Sequence, residues 1–293
     1  MKYKESPLVV IIGTTASGKS ELAIKLAQHF DGEIICADSV TVYKGFDIGT
    51  AKPSQNMRQT VPHHLLDVAD PAVGFNVAEF QRLANKTIKD INYRHKLPFL
   101  VGGSGMYVDS VIFGYKFSKP VSLQQRESLN KMDLPELLLE AKRLDLNVDA
   151  IDTRNKRRVS RMIETGGFQP NRHAPGYKML QLGLILPEET LEARIDERIK
   201  GMIDNGLIME VQNMANRYGW EVEPMKSVGY REWHSYFEKT KTLTEIRSEI
   251  TLDTKNLVKK QLTWFKRNKS IHWLTTEDKF IESVDLITTL LNN

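Results

Sequence analysis

Eight consecutive residues, Gly13, Thr14, Thr15, Ala16, Ser17, Gly18, Lys19 and Ser20, carry the spacing G-x-x-x-x-G-K-[ST]. The chemistry of that pattern is anion binding. Glycines at the two fixed places let the backbone turn tightly, so that its N–H groups come close to phosphate oxygens. Lys19 adds a point charge, the Ser20 hydroxyl can ligate Mg2+, and a helix opening near Ser20 offers its free N–H groups and dipole to the same anion. The motif grips a phosphate or diphosphate without saying which. An ATPase would add an apolar strand ending in Asp. The best candidate, residues 34–38 (Ile-Ile-Cys-Ala-Asp), comes directly after the first helix, too early for that strand. No guanine-specificity signature is evident, so the loop need not serve ATP.

Other residues could do chemistry beside it. Asp38 ends an apolar run, where a carboxylate could ligate Mg2+ or act as a general base, or simply cap a turn with Ser39. Residues 102–105, Gly-Gly-Ser-Gly, form a second glycine-rich loop, either a close approach of backbone to ligand or a plain strand-end turn. Arg154, Arg157, Arg158 and Arg161 share one face of an expected helix at three- and four-residue spacing, with Lys156 beside them. A phosphodiester backbone would suit them; Asp152 and Glu164 could instead pair with some of them. A second basic run, Lys255, Lys259, Lys260, Lys266, Arg267 and Lys269, encloses Trp264 and Phe265, which are read as core rather than as base-stacking aromatics. Arg231 follows an expected loop and could reach a diphosphate as a bidentate donor. His63 and His64 lack a third ligand and are assigned no metal. Cys36, the single cysteine, excludes an internal disulfide and reads as a small buried residue.

The elements that must hold these residues are legible in outline. Residues 8–12 are a short, β-branched apolar run, the pattern of a buried parallel strand. Leu22, Leu26 and Phe30 mark the buried face of a helix after the loop. Residues 33–37 and 98–101 read as further strands, with an irregular loop over 43–64 and a helix over 76–92 between them. Strand–helix alternation predicts an α/β fold, a P-loop NTPase-like parallel sheet flanked by helices. From 121 to 175 the periodicity is helical only, bounded by Pro120 and by Gly166, Gly167, Pro170 and Pro175. The expected organisation is an α/β core of 1–120 and 176–293 with a helical insertion of 121–175. A strand over 179–186, helices starting near Pro187 and over 243–265, and a last strand over 271–274 complete the reading.

Length and charge agree with it. At roughly 100–200 residues per domain, 293 residues allow one sizeable core and a small second domain. No run reaches the roughly 18 apolar residues of a membrane span, and the apolar run 8–12 is too short for a signal-peptide core, so no membrane association and a cytoplasmic location are expected. Residues 116–180 hold 13 Lys/Arg against 8 Asp/Glu, whereas the rest of the chain nets −1, which places the basic excess in the middle of the chain. A local excess of that kind suits a polyanion partner or a solvated helical surface.

Taken in order, these stretches resemble the tRNA dimethylallyltransferase (tRNA isopentenyltransferase) family. The resemblance rests on the phosphate loop, on Ala37, Asp38 and Ser39 with Val42 and Tyr43, on residues 47–53 (Asp-Ile-Gly-Thr-Ala-Lys-Pro) and on 62–67 (Pro-His-His-Leu-Leu-Asp). It continues through 101–107 (Val-Gly-Gly-Ser-Gly-Met-Tyr), 157–161 (Arg-Arg-Val-Ser-Arg), 228–231 (Val-Gly-Tyr-Arg) and 260–265 (Lys-Gln-Leu-Thr-Trp-Phe). It implies transfer of a dimethylallyl group from dimethylallyl diphosphate to the exocyclic amine of the adenine 3′-adjacent to the tRNA anticodon. In that case the loop holds the diphosphate leaving group, Mg2+ sits on Ser20, and Lys19, Arg231 and the catalytic carboxylate Asp38 do the chemistry. The family's tRNA contacts fall on Asp38, Ser39, Val40 and Thr41, on Ser104 and Arg126, and on Arg157, Arg158, Val159, Ser160 and Arg161. A monomer is expected, and the bacterial form is the better match because no zinc-finger extension follows. Thr14 stands where the family often has Pro, and residues 254–261 lack a Tyr and an Arg often found there. The alternative is a P-loop small-molecule or nucleoside kinase, which shares the loop and sheet.

Overall fold

The computed structural model describes residues 6–118, 122–168, 176–274 and 278–292. The expected boundary residues Pro120, Pro170 and Pro175 lie outside them. The chain divides into two compact units, one of residues 1–112 with 175–293 and one of Phe113–Ala174.

The larger unit is built on a parallel sheet. Its elements are β1 (Pro7–Gly13), α1 (Lys19–His29), β2 (Gly32–Cys36), α2 (Gln55–Thr60), β3 (His63–His64), α3 (Val77–Tyr93), β4 (Leu97–Gly102) and α4 (Gly105–Ile112). Two elements, α2 and β3, fall inside the stretch 43–64 read as irregular; each is too short to show a period. Within the sheet the order is β3-β2-β4-β1, with β1 and β2 each paired to β4. The chain leaves β1 and skips one place to β2, and β4 returns into the gap. Loops at the carboxyl ends of β1, β2 and β4 are thereby brought side by side, the place where open α/β sheets hold ligands.

Val9, Ile11, Ile34, Cys36, Phe99 and Val101 pack with Leu22, Ala23, Leu26 and Ala27 of α1 on one face. The alternate residues Leu8, Val10, Ile12, Ile35 and Leu100 are equally buried, as strands covered on both faces require. Against β2 and β4 lies α3, burying Phe80, Ala84, Ile88 and Ile91, with the Asn76 side chain capping its first turn.

The smaller unit contains α5 (Leu123–Lys131), α6 (Leu134–Arg143) and α7 (Lys156–Thr165), with a 3-10 turn over Val148–Ala150 and no strand among its described residues. It has its own small core of Leu129, Leu137, Ala141, Val159 and Ile163. A capping box between Asp133 and Glu136 starts α6, and Gly166 in the left-handed conformation ends α7. Arg154 precedes Asn155, the cap of α7, so it is not on the helical face expected for it.

The chain then resumes the sheet with β5 (Lys178–Leu184) beside β1. After it come α8 (Glu188–Asp204), α9 (Leu207–Tyr218), α10 (Trp233–Phe237), α11 (Leu243–Phe265), β6 (His272–Trp273) and α12 (Lys279–Asn292). Completing the order, β6 pairs with β5 at the far edge. No helix among the described residues is long and apolar enough to cross a membrane.

Candidate active site

The phosphate loop is a tight turn between β1 and α1. Gly18 caps α1 at φ +87°, a left-handed backbone that an L side chain adopts only with strain. Lys19 Nζ donates to Thr14 O at 3.0 Å, which folds the lysine back over the loop. Ser20 is exposed in the first turn, where the helix N–H groups are free. The Ser17 hydroxyl is buried and has no partner among the described residues. Such an atom stands ready for an oxygen-bearing ligand.

The loop is tied to its neighbour by a residue of the stretch 260–265 to which the sequence reading gave no role of its own. Gln261 of α11 accepts from Thr15 N at 3.0 Å and donates to Gly103 O at 3.0 Å, clamping the ends of β1 and β4 together. The end of β4 also lies against β2. A Cβ at Gly102 would sit 1.9 Å from Ala37 O, so only glycine fits. Ser104 Oγ accepts from Ser39 N at 3.0 Å, and Asp38 Oδ1 accepts from Val40 N at 2.8 Å and Thr41 N at 3.1 Å. Asp38 does cap a turn, and in doing so its carboxylate is held on the ligand side of the sheet. The Thr41 hydroxyl is buried without a partner among the described residues.

Two adjoining cavities share Thr15, Asp38, Thr50, Gly103 and Arg198. The inner one, about 90 Å³, adds Lys19, Ser20 and Thr41. The outer cleft, about 810 Å³, adds Ser104, Met106, Tyr107, Leu257, Trp264 and Arg231. Arg198 of α8 was also missed, although it leaves a trace in the sequence. It stands seven residues after Leu191 and three after Ile195, a charge inside an apolar helical stripe. Burial lowers the pKa of Lys19 to about 8, the nearby Arg198 charge adds to the fall, and Asp38 opposes it. Arg198 is likewise pushed down by burial and held up by Asp38. Two partly desolvated cations converging on one small cavity lack sufficient negative charge, so the cavity favours an anion.

Arg231 stands on the wall of the outer cleft with its guanidinium engaged. It donates through Nε to Glu232 at 3.1 Å and through Nη2 to Asp253 at 2.5 Å. Trp264 is half-buried and donates to Asp109 Oδ2 at 3.0 Å, whereas Phe265 is core; for Trp264 the reading as core is therefore incomplete. His64 bonds Glu33 and His63 faces Val61 O. No cluster of three or more His, Cys, Asp or Glu capable of holding a metal occurs among the described residues. In the smaller unit Arg157, Arg158 and Arg161 are exposed on α7, while Val159 and Ser160 are buried. Glu164 pairs with Arg161 at 2.8 Å and Arg126 at 3.6 Å, and Asp152 pairs with Arg154.

The family pattern described as IPP transferase matches residues 41–268. This chain belongs to that family, the tRNA dimethylallyltransferases. The family member from Anoxybacillus flavithermus is 39% identical over 94% of this chain and 92% of its own length. A second member, from Desulforudis audaxviator, is 39% identical over 93% of each. The crystal structure of the tRNA isopentenylpyrophosphate transferase from Bacillus halodurans superposes with a TM-score of 0.76 at 33% identity, covering 98% of this chain and 97% of that one. A eukaryotic dimethylallyltransferase crystallised while acting on tRNA shares the fold, at a TM-score of 0.83 and 24% identity.

Proposed function

We propose that this chain transfers a dimethylallyl group from dimethylallyl diphosphate to the exocyclic 6-amino group of adenine 37, beside the tRNA anticodon. One observation carries the reading: a small, doubly cationic phosphate pocket opens directly into a wide, partly apolar cleft, with Asp38 shared by both. The inner pocket holds the diphosphate through Lys19, Arg198, the loop N–H groups and the Thr41 hydroxyl. The cleft takes the five-carbon chain and the adenine, which must leave its stack to enter.

Chemically, the allylic C–O bond breaks, the amine nitrogen bonds to the freed carbon, and the bonding electrons leave with the diphosphate. Charge grows on the leaving oxygens, where preorganised cations and N–H groups stabilise it. Asp38, fixed by its turn, orients the amine and accepts its proton. Mg2+ fits the donors available: it commonly rests on one or two protein oxygens plus substrate phosphate and water. The Ser20 hydroxyl on the inner pocket supplies such an oxygen. Bound there, Mg2+ would neutralise diphosphate charge.

The exposed arginines Arg157, Arg158 and Arg161, with Arg126, serve as backbone contacts to tRNA. Ser39, Val40 and Ser104 line the cleft around the acceptor, whereas Val159 and Ser160 are buried and support α7 rather than touching tRNA. The chain acts as a monomer in the cytoplasm, where its tRNA acceptor is found. The test is a transfer assay with labelled dimethylallyl diphosphate and bulk tRNA, with ATP in a parallel tube. Label in tRNA and no ATP turnover are expected. Phosphorylation of a small metabolite with no label in RNA would favour the kinase instead.

A further inference from the structure

The engagement of Arg231 is at odds with its expected role as a free donor to the diphosphate. Its two carboxylate partners differ. Glu232 is almost wholly buried, its side chain 3% exposed, and accepts Gly229 N at 2.8 Å. It is fixed in the wall, and burial pushes its pKa up to about 7. Asp253, projecting from α11, is 30% exposed and lines the same cleft as Arg231, Lys260, Arg198 and Thr15. The hydrogen bond from Arg231 keeps the Asp253 carboxyl below its usual range, so it is an anion at neutral pH. A planar guanidinium matches a carboxylate and a phosphate with the same fork. The accessible carboxylate therefore occupies the donor edge that a phosphate would use.

We propose that Asp253 is a positioning residue that holds Arg231 as an internal stand-in for the diphosphate and yields it when the donor enters, so that this carboxylate weakens donor binding. The inference rests on the reading of the inner pocket as the diphosphate site, with Arg231 and Asp253 on the wall of the cleft that adjoins it. Glu232 keeps the arginine in the wall during the exchange, and Asp253 is the partner that lets go. An exposed pair of this kind is weak enough to be exchanged.

The experiment is calorimetric titration of the full chain with inorganic diphosphate and Mg2+. It compares the wild type with Lys19→Met, Asp253→Asn, Arg231→Ala and the double variant Arg231→Ala/Asp253→Asn, each checked by thermal melting. Asp253→Asn should bind diphosphate about twofold to fivefold more tightly, and Arg231→Ala more weakly. In the double variant the gain should vanish, because it acts through Arg231. In the transfer assay Asp253→Asn should lower KM for dimethylallyl diphosphate with kcat little changed, a split that a merely structural role would not give. Unchanged or weaker binding by Asp253→Asn, or a gain that survives in the double variant, overturns the proposal. Should the wild type bind no diphosphate, or bind it no better than Lys19→Met, the reading of the site falls and the proposal with it.

Discussion

At the scale of single residues, Lys19 shows how burial sets a working range. Its folded pKa is lowered to about 8 by desolvation, with Arg198 adding to the effect. The protonated form binds the anion, so donor affinity is full below that value and is lost as pH rises through it. KM for dimethylallyl diphosphate should rise between about pH 8 and 9.5, roughly tenfold per unit once the lysine is neutral. A KM flat to pH 9.5 would contradict the assignment. Asp38 makes a second case. General-base assistance is worth about 10²–10⁴ in rate, so Asp38→Asn should cut kcat by about that factor. It keeps an oxygen to accept from Val40 and Thr41, so filter-binding of tRNA should stay within about threefold. Equal loss of both would mean that Asp38 shapes the site rather than reacting in it. Motif spacing exposed Lys19, Ser20 and Asp38 to a reader of the sequence. Arg198 and Gln261 stayed hidden because each comes from a helix far along the chain, and only the sheet order brings them to the loop.

Elements are held together by a few buried polar ties as well as by the apolar core. Glu33 on β2 accepts from both terminal nitrogens of Arg94, the residue capping α3, and bonds His64 on β3 at 2.7 Å. The Arg94 hydrogen bond, opposed by burial, brings the Glu33 pKa down to about 2. A carboxylate whose folded pKa is depressed contributes stability above its unfolded value and loses it as pH falls towards the folded one. Glu33→Gln should therefore destabilise the fold by about 2 kcal/mol at pH 7, less than a fully buried pair because Arg94 is partly in water. That difference should shrink between about pH 4.5 and 2. Chemical denaturation at pH 7 and pH 3 measures it; an equal gap at both pH values would remove Glu33 as the cause. The same tie explains an unread strand. Two residues long, β3 shows no alternation; it exists because β2 and a buried carboxylate hold His63 and His64 in register. By contrast β1 and β4 are continuous apolar runs, β2 carries the apolar run 34–36, and α11 begins with a capping box, so these were legible.

For the molecule as a whole, the uneven charge has a consequence for salt dependence. The basic excess of residues 116–180 stands against a remainder that nets −1, so a polyanion attracted to this chain meets its field mainly in one segment. Arg161 and Arg126 share Glu164, Arg154 is paired with Asp152, and Arg158 helps to hold the Asp152 carboxyl below its usual range, so part of the arginine charge there is already answered. Arg157 and Arg158 project from the first turns of α7 beside the buried Val159 and Ser160, which anchor that helix in its own small core. Helix and core should survive their replacement, since neither side chain fills that core. Each phosphate contact releases condensed counterions, so log Kd against log salt measures how many contacts are made. Arg157→Ala with Arg158→Ala should weaken tRNA binding about tenfold to a hundredfold at physiological salt and lower the magnitude of that slope by about 1 to 2. KM for dimethylallyl diphosphate should not move, because the diphosphate is held in the other unit. A slope unchanged from wild type would mean that RNA approaches another face, with the second basic run along α11 the next surface to neutralise.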